Sequence, residues 1–92
     1  MIKGFKHKGL RLFFETGATA GIIPRHAEKL TLRLNALNEA QTLADLNFPG
    51  YRLHPLKSDK AELWSITVAA NWRITFEFRD GDAYIVNDED YH

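Results

Sequence analysis

His7, His26, His54 and His92 are the four imidazoles of the chain, and two of them stand among other groups fit for chemistry. His54 lies in Leu53-His54-Pro55-Leu56-Lys57, with a cation three residues on. His92 follows Asp90 and Tyr91, so an acid, a phenol and an imidazole occupy three consecutive positions. Imidazole gives and takes protons near neutral pH. Arg73 sits midway along an alternating run, where a guanidinium on a half-buried sheet needs a partner. It either pairs with Glu77 or an acid of the last strand, or offers a planar fork to phosphate. Together His54, His92, Lys57, Arg73, Tyr91 and Asp90 make a set suited to cleaving an RNA phosphodiester through its own 2′-hydroxyl. A base removes the hydroxyl proton, cations hold the charged transition state, and an acid protonates the leaving 5′-oxygen.

Other chemistries find less support. His54, His92 and Asp90 can be drawn as metal ligands, but no closely spaced histidine pair supports a site, and no metal or cofactor is expected. The chain lacks cysteine, which excludes a disulfide scaffold, a thiolate zinc site and a Cys nucleophile. There is no Ser-His-Asp order, phosphate-cradling glycine loop or HExxH. Taken alone, Asp90-Tyr91-His92 reads as a frayed tail. His7 and His26 read as surface residues at exposed helix ends.

These groups need elements to position them. Leu10, Phe13 and Phe14 fall at helical spacing between His7 and Thr16, and Gly17 suits the helix end. Pro24 can open a second helix, in which Ala27, Leu30, Leu34 and Leu37 form one apolar stripe with Arg25, Lys29 and Arg33 off it. Thr42 and Asp45 suggest a capped turn up to Leu46, and Asn47-Phe48-Pro49-Gly50 ends the helical half. The period then falls to two. Tyr51 to His54 is extended, Trp64/Ile66/Val68 alternate with Ser65/Thr67, and Trp72/Ile74/Phe76/Phe78 alternate with Arg73/Thr75/Glu77/Arg79. Ala69-Ala70-Asn71 and Asp80-Gly81 are the hairpin links, and a last strand runs from Asp82 to about Asn87. Ile2 to Phe5 suits a short edge strand. The expected architecture is an α+β domain spanning residues 1–92, N-terminal helices packed on one face of a mainly antiparallel β-sheet. The Trp64 and Trp72 rows should lie under the helices, with Ser65, Thr67, Arg73 and Thr75 on a polar, open face.

Composition bounds what such a domain can do. Ninety-two residues with 45% hydrophobic content support one core. No apolar run suits a membrane span and the first residues do not resemble a signal peptide, so a cytoplasmic protein without membrane contact is expected. Twelve basic residues balance twelve acidic ones, but unevenly. Residues 1–33 carry seven basic side chains against Glu15 and Glu28, while residues 80–92 carry five acids and no Lys or Arg. That asymmetry suits a polyanionic partner on the basic side, or simply a solvated helical surface.

Leu53-His54-Pro55-Leu56-Lys57, Trp64-Ser65-Ile66-Thr67-Val68, Asn71-Trp72-Arg73-Ile74-Thr75-Phe76 and Asp90-Tyr91-His92 together resemble the HigB toxins of the RelE/ParE toxin–antitoxin superfamily. The resemblance spans the chain, including its Ile2-to-Leu12 opening. It implies a RelE-like, microbial-RNase-type fold and a ribosome-dependent endonuclease that cuts mRNA codons in the A site. It also implies a HigA-type helix-turn-helix antitoxin, with promoter DNA reached only through that antitoxin. By position, His54 and His92 become the proton-transfer candidates, Asp90 orients or helps deprotonate, and Tyr91 shapes the site. Lys57 and Arg73 become the phosphate-stabilising cations. A neutral chain is unusual for a protein that docks on ribosomal RNA, so Lys6, Lys8 and Arg11 are expected to supply the contacts to 16S rRNA. The alternatives are a ParE-like gyrase inhibitor, which would leave His54, Arg73 and the Asp-Tyr-His ending without a task, and a non-catalytic binding module.

Overall fold

In a computed structural model of the chain, residues 1–56 and 62–90 are described. Helix α1 covers Lys8–Thr16 and α2 covers Ala27–Glu39, with short 3-10 turns at Pro24–His26 and Leu43–Leu46. Four strands follow, β1 (His54–Leu56), β2 (Leu63–Ala69), β3 (Trp72–Arg79) and β4 (Asp82–Asp90). They form an antiparallel meander in the order β1-β2-β3-β4. The expected α+β order is the observed one.

Local chemistry sets the helix ends. The His7 side chain accepts a hydrogen bond from the Leu10 backbone N–H, satisfying one of the free donors of the first turn of α1. Gly17 closes that helix in the left-handed region, at φ 81°, as its lack of a Cβ allows. Thr42 and Asp45 complete a reciprocal capping box around the Leu43–Leu46 turn. The backbone N–H groups of Gln41 and Thr42 that donate to Asp45 hold its carboxyl below the usual range.

The core lies between the helices and one face of the sheet. Leu10, Leu30, Leu34 and Leu37 meet Ile66, Ile74, Phe76 and Val86, all fully enclosed. Burying each such side chain contributes about 1.5–3 kcal/mol. Arg33 clamps α2 to the sheet from its flank. Its Nε donates to the Thr67 carbonyl at 2.6 Å, and the guanidinium stacks over Tyr51, 4.4 Å from the ring centroid.

Several expectations need correction. The last strand runs to Asp90 rather than stopping near Asn87. It does so because β3 offers partners as far as Trp72, which pairs with Asp90. Strand β1 starts at His54, whereas Tyr51 to Leu53 form its approach. Ile2 and Phe5 make isolated parallel bridges to Ala83 and Val86, so the N-terminal segment shields the β4 edge without forming a full strand. His26 is buried at 5% exposure, not on the surface, and its ring meets Trp72 edge-on at 6.0 Å. The face opposite the helices is not open throughout, since Ser65 and Thr75 on it are buried.

Candidate active site

The strand register sorts the polar residues of the sheet into rows. His54 pairs with Ser65 and Ser65 with Thr75, while Thr75 pairs with Asn87, so one row crosses all four strands. The next row is Thr67, Arg73 and Glu89. Directly paired residues share a face, so His54, Ser65, Arg73, Asn87 and Glu89 lie on the side away from the helices.

The structure brings His54 and Arg73 together. Arg73 Nη1 lies 2.8 Å from His54 Nε2, and His54 Nδ1 lies 2.8 Å from the Arg52 carbonyl oxygen. A guanidinium only donates and a carbonyl only accepts. Nε2 is therefore the unprotonated nitrogen, and Nδ1 carries the hydrogen that Arg52 accepts. The buried Ser65 hydroxyl sits 3.4 Å from both ring nitrogens, against the imidazole rather than in line with either lone pair. Glu77, one of the acids expected to neutralise Arg73, approaches Arg79 instead, at 3.9 Å.

Asp90, the acid expected at the site, is the last residue of β4. Asp90 is exposed and pairs with Trp72, while Glu89 is the register partner of Arg73. A β-bulge causes this. Between the Glu77–Tyr84 and Thr75–Asn87 pairs, β4 has one residue more than β3. The extra residue inverts the alternation, turning Asn87 and Glu89 toward the Arg73 side and Val86 and Asp88 toward the core. Asn87 Nδ2 donates to Glu89 Oε1 at 2.7 Å, fixing that carboxylate beside the site row. Lys57, Tyr91 and His92 lie outside the described residues.

Lys6, Lys8 and Arg11 are exposed. They do not adjoin His54. The Lys6 backbone N–H donates to the Val86 carbonyl of β4, and Arg11 lines a groove with Ile2, Phe5 and Phe14. That is the opposite edge of the sheet from β1. Among the described residues, Arg33, through Thr67, and exposed Arg52 flank the His54 edge. Arg52 was missed because its part in the site is played by a carbonyl, which every residue has. Ser65 and Glu89 were missed because their pairing depends on register.

A separate polar cluster lies on the core side. Asp88 is buried there, and burial pushes its carboxyl above the ordinary value against the opposing pull of His7 and His26. Asp88 Oδ1 and His26 Nδ1 are enclosed without a hydrogen-bond partner among the described residues. No group of three or more metal-ligating side chains converges among the described residues. No described helix is long and apolar enough to cross a membrane.

Residues 3–92 match the family model described as the RelE-like toxin of type II toxin–antitoxin system HigB. The chain is 55% identical to the endoribonuclease HigB of Proteus vulgaris over 92 residues, the full length of both. A match of that extent and identity, on a sheet that holds His54 against Arg73, shows that the chain belongs to the HigB-like family of RelE-like toxins.

Proposed function

We propose that the protein is the toxin of a type II toxin–antitoxin pair and an endoribonuclease that cuts mRNA in the ribosomal A site. The observation that carries this reading is the contact of His54 Nε2 with Arg73 Nη1 at 2.8 Å, a proton acceptor and a phosphate-binding fork on one sheet face. Membership of the toxin family and the name of the Proteus vulgaris relative support the same activity.

The 2′-hydroxyl oxygen attacks the adjacent phosphorus while one imidazole accepts its proton. The O2′–P bond forms as the P–O5′ bond breaks, and the other imidazole protonates the departing O5′. The products are a 2′,3′-cyclic phosphate and a 5′-hydroxyl. His54 and His92 share the proton transfers, with Asp90 supporting them and Tyr91 shaping the pocket. Lys57 and Arg73 stabilise the charge that builds on the nonbridging oxygens, where a positioned donor is worth most. Lys6, Lys8 and Arg11 bind ribosomal RNA at the β4 edge. A HigA-type antitoxin is the partner that restrains the activity, and work on ribosomes places the toxin in the cytoplasm.

Purified protein incubated with programmed ribosomes and with free mRNA, side by side, tests the reading. Codon-phased cuts on ribosomes alone are expected. Equal cutting of free mRNA would remove the ribosome from the mechanism, and no cutting in either would remove the nuclease.

A further inference from the structure

Arg52 adopts φ 51°, in the left-handed region that residues other than glycine, asparagine and aspartate seldom enter. Its side chain is exposed, so packing of that side chain does not account for the conformation. The backbone around it does. The Phe48 carbonyl accepts from the Tyr51 N–H at 3.1 Å, closing a turn, and the Tyr51 carbonyl accepts from Thr67 N–H at 2.6 Å. The peptide before Arg52 is thereby fixed to β2. Two residues later His54 is fixed again, by pairing with Ser65. Between these anchors the chain turns through the left-handed region, and the Arg52 carbonyl comes to rest 2.8 Å from His54 Nδ1.

We propose that Arg52 is a positioning residue: its left-handed backbone holds the carbonyl on His54 Nδ1–H and so presents the Nε2 lone pair to the 2′-hydroxyl of the RNA. The catalytic half of this inference rests on the endonuclease reading above. The tautomeric half stands on the free protein alone. A 180° turn of the ring would exchange Nδ1 for a carbon, losing the carbonyl contact and the Arg73 contact together. The Ser65 hydroxyl, 3.4 Å from both nitrogens, packs against the ring in its present setting. With Nδ1 committed as donor, Nε2 is the atom able to accept a proton. Once Nε2 is protonated, the carbonyl continues to hold the opposite side of the imidazolium. Arg73 occupies Nε2 in the free protein, so bound RNA must draw the guanidinium onto phosphate and replace it with the hydroxyl. His54 is then the proton acceptor.

The test compares Arg52→Gly, Arg52→Asn and Arg52→Val. Glycine and asparagine tolerate the left-handed region, whereas a β-branched residue strongly resists it. All three remove the guanidinium, so only the backbone separates them. Long-range ¹H–¹⁵N correlation on the ¹⁵N-labelled free protein reads which His54 nitrogen carries the hydrogen. Single-turnover cleavage of mRNA on programmed ribosomes, at saturating toxin, reads the chemical step. We expect Nδ1–H in the wild type, Arg52→Gly and Arg52→Asn. In Arg52→Val we expect a mixed tautomer and a cleavage rate about 10- to 100-fold lower, the scale of loss from a small misplacement of a reacting group. An Nε2–H wild type would overturn the proposal whether or not any variant folds. So would Arg52→Val with wild-type tautomer and rate, or Arg52→Gly slowed as much as Arg52→Val with the tautomer intact. Failure of the endonuclease reading is distinguishable, because the wild type would then show Nδ1–H and no cleavage.

Discussion

Arg73 and His54 meet at 2.8 Å although they stand on β3 and β1, strands that do not pair with one another. The contact spans β2, above the buried hydroxyl of Ser65. An arginine that served only to neutralise an acid would have no need to reach an imidazole two strands away. This contact makes the two residues one unit, and their variants should behave accordingly.

His54→Ala is expected to slow cleavage on programmed ribosomes by about 10²- to 10⁴-fold, the usual contribution of a proton-transfer group. Arg73→Ala should cost about 10²- to 10³-fold, as for loss of one donor to a developing oxyanion. Arg73→Lys keeps the charge but loses the fork, and should fall between Arg73→Ala and wild type. The double variant His54→Ala/Arg73→Ala should lose far less than the product of the single losses, as for residues that act together. Rates that multiply would contradict the shared role.

The Asp88 carboxyl supplies a prediction about pH. Burial raises its folded pKa above the ordinary value of 3.8. The folded chain therefore holds this proton more tightly than the unfolded chain, and stability falls as pH rises from about 3.8 through the raised folded value. Below that window the contribution is complete. Asp88→Asn removes the ionisation, so it should melt a few degrees above wild type at pH 7, and the difference should shrink as pH falls toward 3.8. Thermal melts at a series of pH values check this. An Asp88→Asn protein that melts below wild type at pH 7, or a difference that does not change with pH, would contradict it.

Gly9 and Gly21 supply a packing prediction. A Cβ added at Gly9 would lie 2.5 Å from the Gly21 carbonyl oxygen, and one added at Gly21 would lie 2.6 Å from Gly9 Cα. Both collisions are with backbone, which cannot rotate away. Gly9→Ala should lower stability by about 1–3 kcal/mol in denaturant titrations, despite the better helix propensity of alanine in α1. A neutral or stabilising Gly9→Ala would show that α1 and the 17–23 loop do not touch as described.

The basic residues at the β4 edge supply the fourth. Lys6→Ala/Lys8→Ala should weaken ribosome association and flatten its dependence on salt, by a slope of about two for two lost phosphate contacts. Co-sedimentation across a salt series measures it. An unchanged slope would move the RNA contact elsewhere, with Arg33 and Arg52 at the His54 edge the described cations to try next.

Much of the scaffold could be read from the chain because local chemistry dictates it. Asp80-Gly81 announces a hairpin and takes positive φ at both residues, 52° and 80°. Thr42 and Asp45 announce a capping box and form it. Leu30, Leu34 and Leu37 announce a buried stripe and are fully enclosed. What could not be read depends on distant parts of the chain. Alternation assigns Ser65 and Thr75 to the polar face, but whether that face is covered depends on what lies over it, and both residues are buried. A histidine at a helix entrance looks solvated until Trp72 packs on it, as happens to His26. The side that Asp88, Glu89 and Asp90 face turns on one extra residue in β4, at Ile85, which carries an unexpected φ of 46°. At the site, His54 and Arg73 were legible as types suited to the chemistry, and the structure joins them.

The most direct measurement concerns the nucleophile. Programmed ribosomes are supplied with mRNAs that differ only in a 2′-hydroxyl or 2′-deoxy sugar on the 5′ side of the cut, and the cleaved ends are analysed. If the 2′-oxygen attacks, the ribose substrate yields a 2′,3′-cyclic phosphate and a 5′-hydroxyl, and the deoxy substrate stays whole. Cleavage of the deoxy substrate at the ribose rate, or ends bearing a 3′-hydroxyl and a 5′-phosphate, would contradict proton abstraction by His54 and charge stabilisation by Arg73.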